Sequence, residues 1–345
     1  MRVAFVTVGD TRRLTGGYLY NRRLLDGLEE NGVRVEEVVP CGADPAEQAG
    51  AAPGFGLAFE SDRFDVVLVD ALARVVVAPH LDRWRSTRPV VALVHELPGV
   101  ADPAADREGP FEGPLLRSDR IVAVSRHGGE LLLGKGVPAD RMAVIPPGFD
   151  GLRRGREGAR AGGALRVLCV AQWIPRKGVL DLVRAWRRED RSGAVLDLVG
   201  ETDADEGYAS LVREAASGDP SVLVHGPVEE ATLTGLYASA DLFALPSRYE
   251  GYGIVYAEAL SFGLPVVACR VGPVPEVVGD EAAVLVPTGE TEALSGALGR
   301  LLRDAGLRET MSAAARRRAS GLPRWGGAVE GFLGVLRDVG GGREV

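Results

Sequence analysis

Two glutamates separated by seven residues, Glu250 and Glu258, stand in the stretch Leu245-Pro246-Ser247-Arg248-Tyr249-Glu250-Gly251-Tyr252-Gly253-Ile254-Val255-Tyr256-Ala257-Glu258-Ala259-Leu260. The pattern places Glu250 in a glycine-flanked turn and Glu258 in the middle of a helix running from near Gly253 to Gly263. Around Glu258 that helix is apolar nearly all round, as expected of a buried one. A lone carboxylate there costs several kcal/mol unless it is hydrogen-bonded. Ligand hydroxyls are one candidate partner and neighbouring backbone is the structural alternative. Gly251 and Gly253 leave room for a ligand to approach the main chain, and a helix N-terminus directs N–H donors at phosphate.

Three further features have types and positions suited to chemistry. Gln172-Trp173-Ile174-Pro175-Arg176-Lys177-Gly178 sets two adjacent cations before a glycine and a helix start. Such a turn can hold a diphosphate, or it can be a solvated basic turn. Lys135 and Lys177 are the only lysines among 40 basic residues, and Asn (Asn21, Asn31) and Gln (Gln48, Gln172) are equally scarce. A lysine kept against that bias favours function at 177. His95 follows a buried apolar run, where it can donate to a substrate hydroxyl or serve as a cap. Gly16-Gly17 precede a helical pattern and can admit an anion to backbone N–H groups. They are not a G-x-G-x-x-G fingerprint, so a dinucleotide site is not indicated.

The elements that must position these residues follow one rhythm: apolar run, Gly/Pro/polar turn, helical pattern. Strands are expected at 3–8, 33–39, 65–70, 90–95, 121–125, 142–145, 165–171, 195–200, 222–225, 242–246, 266–269 and 283–286. Several are continuous Val/Leu/Ile/Ala runs, as in parallel strands covered on both faces. Helical patterns such as 20–31 and 178–188 lie between them, which argues for open α/β sheets in two copies. In such sheets ligands bind beyond the carboxyl ends of the strands, where the residues above fall. The expected organisation is a domain at 1–150, a Gly/Arg-rich linker at 151–164, a second domain at 165–322 and an apolar-striped terminal helix within 323–345 that must dock on something.

Composition narrows the function classes. The chain has 345 residues, 46% hydrophobic and 26% charged, with a net charge of -8. This is globular composition, and the negative balance disfavours nucleic acid as the main partner. No run approaches the ~20 apolar residues that span a bilayer. Met1–Val6 reads as a strand and not as a signal peptide, so a cytoplasmic chain is expected. Cys41, Cys169 and Cys269 lack the spacing of a disulfide framework or zinc site. Residues 1–150 carry 17 basic against 22 acidic groups. That argues mildly against strong attachment to anionic membranes, while clusters such as Arg83-Trp84-Arg85 leave weak peripheral association open.

At these residues the sequence resembles the retaining glycosyltransferases of family 4. The paired glutamates Glu250 and Glu258 match that family's motif, as do Leu233–Leu245, Pro246-Ser247, Gly263-Leu264-Pro265-Val266-Val267-Ala268 and Pro275-Glu276-Val277-Val278 in the same order. Ile121–Ser125, Val144–Asp150, Arg176-Lys177-Gly178, Gly16-Gly17 and His95 match as well. The resemblance implies a GT-B fold, two Rossmann-like domains with parallel sheets facing across a deep cleft. It implies a nucleotide-diphosphate sugar donor (UDP, GDP or ADP sugar) held mostly by the C-terminal domain and a hydroxyl acceptor on the N-terminal one. Lys177, with Arg176 and the Gly16-Gly17 amides, would neutralise the diphosphate. Glu258 would bind the ribose hydroxyls. Glu250 and the amides of Gly251, Tyr252, Gly253 and Ile254 would hold the donor sugar, with His95 near its reacting carbon. The terminal helix would cross back to the first domain. Gln172 departs from the pattern, since many members carry there an Arg that contacts the diphosphate. No DxD lies near the phosphate site, so neither metal nor cofactor is expected. A sugar-nucleotide epimerase and a non-catalytic nucleotide-sugar-binding module are the competing readings.

Overall fold

The computed structural model of the chain describes residues 1–13, 15–42, 44–101, 109–149, 163–188 and 193–341. The expected linker lies almost entirely outside the described residues. The chain divides into two compact units, one of Met1–Asp150 with Pro323–Val345 and one of Gly151–Leu322.

In the first unit, β1 (Arg2–Val6), β2 (Arg34–Val38), β3 (Val66–Asp70), β4 (Val90–Val94), β5 (Arg120–Ala123) and β6 (Met142–Val144) form one sheet in the order β2-β1-β3-β4-β5-β6. The second unit has β7 (Arg166–Val170), β8 (Val195–Val199), β9 (Val222–Gly226), β10 (Leu242–Leu245), β11 (Val266–Cys269) and β12 (Ala283–Val286), in the order β12-β11-β10-β7-β8-β9. Every pairing is parallel. Each expected strand is present, trimmed by a residue or two at most boundaries. Just past the strand ends, the Thr7 and His95 side chains contact Asp70 and Asn21.

Strand chemistry follows position. The central β3 (VVLVD) and β4 (VVALV) are buried at every residue, whereas β2 (RVEEV) and β9 (VLVHG) expose polar groups because they are sheet edges. Both sheets reverse direction of growth once, the first between β1 and β3 and the second between β7 and β10. In open α/β sheets, that reversal opens a crevice at the strands' carboxyl ends.

The terminal helix, Trp325–Gly340, buries Ala328, Val329, Phe332, Leu333, Val335 and Leu336, and it packs on helix Gly16–Glu30 of the first unit. Two glycines permit this contact. A side chain on Gly27 would overlap Val329, and one on Gly148 would overlap the backbone of Arg324 and Trp325. The backbone there is also tied by the Phe149 N–H donating to the Pro323 carbonyl at 2.9 Å. Gly148→Ala should therefore loosen the terminal helix at a cost of about 1–3 kcal/mol. A lowered Tm, with faster amide exchange across Trp325–Gly340 than elsewhere in the unit, is the expected result.

Candidate active site

In the second unit the polar groups gather at the β7/β10 reversal. The chain leaves β7 through Gln172 and a single 3-10 turn, Pro175–Lys177, and starts helix Val179–Trp186 after Gly178. Gly178 has φ +68°, and a Cβ there would run into the Pro246 carbonyl, so only glycine lets this loop lie against the one leaving β10. The Arg248 N–H then donates to the Arg176 carbonyl at 2.7 Å, lacing the two loops together.

Side chains complete the junction. Lys177 Nζ donates to both Glu250 carboxylate oxygens, at 2.7 and 2.8 Å, and Ser247 Oγ donates to Oε1 at 2.6 Å. The Glu250 side chain is 4% exposed and that of Lys177 15%. Burial by itself would raise the Glu250 carboxyl. The Lys177 and Arg176 charges, with the hydrogen bonds from Lys177 and Ser247, outweigh it and hold the group below its ordinary value. Immediately downstream, Gly253 (φ +90°) turns the chain into helix Ile254–Ser261, with its side-chain space filled by the Tyr256 ring. Gly251 and Tyr252 lie half-buried in the turn, and Ile254 is the first helical residue.

Glu258 is part of this helix but not of the ion pair. Tyr237, on helix Glu230–Ser239, donates to its Oε2 at 2.9 Å, and Phe262 stacks on the Tyr237 ring at 5.2 Å. The partner demanded by the sequence is thus a phenol, supplied from another helix and not by nearby backbone. Glu258 keeps some contact with solvent. Its burial still pushes the carboxyl up to about 7, against the lowering effect of the Tyr237 hydrogen bond. Gln172 donates to Glu201 Oε2 at 3.1 Å, so its amide N–H is engaged within the protein.

The first unit has its own cluster at the β1/β3 reversal. Helix Gly16–Glu30 begins one turn earlier than the sequence pattern suggested, with both glycines inside it; Thr15 is the extended N-cap, and no acidic residue lies in the first turn. The opening N–H groups of such a helix have no helical acceptor, which is why glycine is tolerated there. His95 sits over this turn, its ring 3.7–4.0 Å from where a Gly17 Cβ would be. Tyr20 packs edge-on against the His95 ring with centroids 5.2 Å apart. The His95 Nε2 is 2.8 Å from Asn21 Oδ1, and Asn21 Nδ2 donates to the buried Asp70 at 2.7 Å.

The sequence-selected residues therefore fall into two groups. Gly16, Gly17 and His95 meet in one unit, and Arg176, Lys177, Glu250 and the glycine turn after it meet in the other. Ser247, Tyr237, Asn21 and Asp70 went unremarked in that role. For Asn21 a signal existed, because asparagine is as scarce in this chain as lysine.

Residues 1–148 match the family model for the glycosyl transferase 4-like domain, and residues 164–304 match that for glycosyl transferases group 1. The D-inositol 3-phosphate glycosyltransferase of Kineococcus radiotolerans is 32% identical over 296 residues, covering 74% of this chain and 67% of that one. The chain spans about half to two thirds of the length of the curated relatives it matches. Sucrose-phosphate synthase from Thermosynechococcus elongatus has the same fold, with a TM-score of 0.82 at 22% identity over 99% of this chain and 100% of that one. So does Anabaena HepE, solved in complex with UDP-glucose, with a TM-score of 0.77 at 19% identity over 98% and 100%. Two Rossmann-like units of this kind define a GT-B protein. Within that class, the chain belongs to the GT4-type glycosyltransferases. Among the described residues no helix is long and apolar enough to cross a membrane.

Two outcomes follow from the carboxylates. Glu250 is favoured in its ionised form by folding, so its contribution to stability is present above the ordinary carboxylate range and is lost as pH falls through its lowered value. Lys177→Met should cost about 3–5 kcal/mol, because it strands a buried charge. Lys177→Met with Glu250→Gln should recover most of that in urea unfolding at pH 7. Glu258 has the opposite sign. Its raised value means stability falls as pH rises from about 4.5 to about 7. Glu258→Gln should then be more stable than the parent at pH 8, and the two should converge at pH 4. A constant difference across that range would refute the assignment.

Proposed function

We propose that this chain is a retaining hexosyltransferase, moving a hexose from a nucleotide-diphosphate sugar to a hydroxyl acceptor. The observation that carries this reading is the Lys177–Glu250 pair, bonded at 2.7 and 2.8 Å and set at the amino end of helix Ile254–Ser261. It places a cation, a hydrogen-bond-accepting carboxylate and helix amides together at a strand reversal, the three features needed to hold a sugar joined to a diphosphate. HepE, which shares the fold, holds UDP-glucose in its structure.

The second unit is assigned the donor. Lys177 and Arg176 neutralise the diphosphate. Glu250 and the amides of Gly251, Tyr252, Gly253 and Ile254 take the sugar hydroxyls, and Glu258 takes those of the ribose. The first unit is assigned the acceptor, with His95 at the sugar. Because its amide is bonded to Glu201, Gln172 is left a lesser part in diphosphate binding. In the reaction, the bond from the anomeric carbon to the diphosphate oxygen breaks and its electron pair leaves with the diphosphate. The acceptor oxygen bonds to the same face of that carbon, and its proton passes to the departing diphosphate oxygen. Fixed cations and amides stabilise the charge that develops on the leaving group, without a divalent metal. No carboxylate is assigned as a covalent nucleophile, since Glu250 and Glu258 serve hydroxyls.

Donor class is tested by thermal shift with UDP, GDP and ADP sugars, since a ligand that binds the folded state raises Tm. Turnover is tested with the best donor and a panel of polyol, sugar-phosphate, lipid and glycan acceptors, reading product configuration by NMR. Glu250→Ala should lower kcat by at least about 100-fold, with product from the parent keeping the donor's anomeric configuration and activity surviving EDTA. Inverted product, or near-parent turnover by the variant, would reject the reading. Conversion of the donor sugar with no acceptor present would favour the epimerase.

A further inference from the structure

The hydrogen bonds around His95 fix more than its position. Asp70 ends β3 with no solvent exposure, and both of its carboxylate oxygens receive hydrogen bonds. Oδ1 accepts the Leu72 N–H at 2.9 Å, while Oδ2 accepts Thr7 Oγ1 at 2.9 Å and Asn21 Nδ2 at 2.7 Å. A carboxylate used in this way is acceptor only, so the end of the Asn21 amide facing it must be the NH2. The carbonyl end, Oδ1, then faces His95 Nε2 at 2.8 Å. An amide oxygen cannot donate, so the proton in that contact belongs to Nε2. In a neutral imidazole the other nitrogen, Nδ1, is then an unprotonated acceptor. Burial, the largest influence on the ring, lowers its pKa and favours the neutral form, against the opposing charges of Asp70 and Glu96. Among the described residues, none bonds to Nδ1.

We propose that Asn21 is a positioning residue which, held by Asp70, keeps His95 in its Nε2–H tautomer, so that the ring presents Nδ1 as the acceptor of a sugar hydroxyl's proton. The inference rests on the proposed transferase reading for its substrate, and it reverses one expectation from the sequence. The histidine receives a hydrogen bond from the ligand and does not donate one. It also explains why a chain so poor in amide side chains keeps one at position 21. The residue must accept on one side and donate on the other, and an amide is the neutral group that does both in one plane.

The test is a two-bond proton–nitrogen NMR correlation on protein labelled with 15N-histidine, which reads the tautomer of each of the 4 histidines without substrate. His95→Gln assigns the resonance. The expected parent pattern is a single Nε2–H form at pH 7.5. Asn21→Leu keeps the shape but removes both polar ends, and it should give a mixture containing the Nδ1–H form. Asp70→Asn can turn either end toward Asn21 and should give the same mixture. With an active donor, Asn21→Leu should lower kcat/KM by about tenfold, the worth of one hydrogen bond. An Nδ1–H pattern in the parent overturns the proposal. So does a folded Asn21→Leu protein whose His95 spectrum is unchanged, which would make Asn21 a packing residue. If neither variant folds, the parent spectrum still decides. Because the spectrum needs no turnover, a failure of the transferase reading is seen separately, as absent transfer beside an intact Nε2–H form.

Discussion

A carboxylate buried as deeply as Glu250 can exist in its ionised form only if a cation and hydrogen-bond donors reach it. That requirement organises the second unit. The cation comes from the loop after β7, the carboxylate and the Ser247 hydroxyl from the loop after β10, and these strands are adjacent in the sheet although far apart in sequence. Gly178 exists to let the loops touch, since any side chain there would strike Pro246. The pair also sets the start of the helix that follows, through the turn at Gly253. An ion pair of this kind is weak evidence for stability, because desolvation offsets much of the attraction. On the proposed transferase reading, the pair holds charge in place for a ligand.

The two units solve one problem with different sheets. The second has strand order 3-2-1-4-5-6 when numbered within itself, and the first runs 2-1-3-4-5-6. Each reverses once, and each gathers its polar residues at that reversal, where flanking loops diverge and leave main-chain groups accessible. In the first unit the gathered groups are Thr7, Asp70, Asn21 and His95, from the ends of β1, β3 and β4 and the opening helix. In both clusters a buried carboxylate is the fixed point, but its partners differ. Lys177 makes the second cluster a charged one. Thr7 and Asn21 make the first a chain of neutral groups ending at an imidazole.

Much of this was legible in the sequence because strands such as VVLVD and VVALV admit only one environment, a parallel sheet covered on both faces. The turn at Glu250 was legible because Glu250 and Glu258 break an otherwise apolar stretch, and such a break needs an explanation. What the sequence withheld was partnership. Nothing local tells that Lys177 meets Glu250 across 73 positions, or that Tyr237 reaches Glu258 from a different helix. The helix at Gly16 began earlier than expected because two glycines look like a loop when read alone. They are acceptable in a first turn whose N–H groups lack helical partners anyway. Asn21 and Asp70 looked like ordinary helix and strand-end residues, and only folding reveals them as consecutive members of one chain of hydrogen bonds.

Trp325 opens the terminal helix and packs against Tyr20 at 5.7 Å, and Tyr20 in turn packs against His95. The first unit thus borrows a wall of its polar cluster from a segment made after Leu322. During synthesis the residues before Asp150 leave the ribosome ahead of the second unit, yet they lack their closing helix until that unit, which is contiguous, has been made. The order of maturation is therefore inverted with respect to the order of translation, and the histidine acquires its final surroundings only after the helix that Trp325 opens has been made.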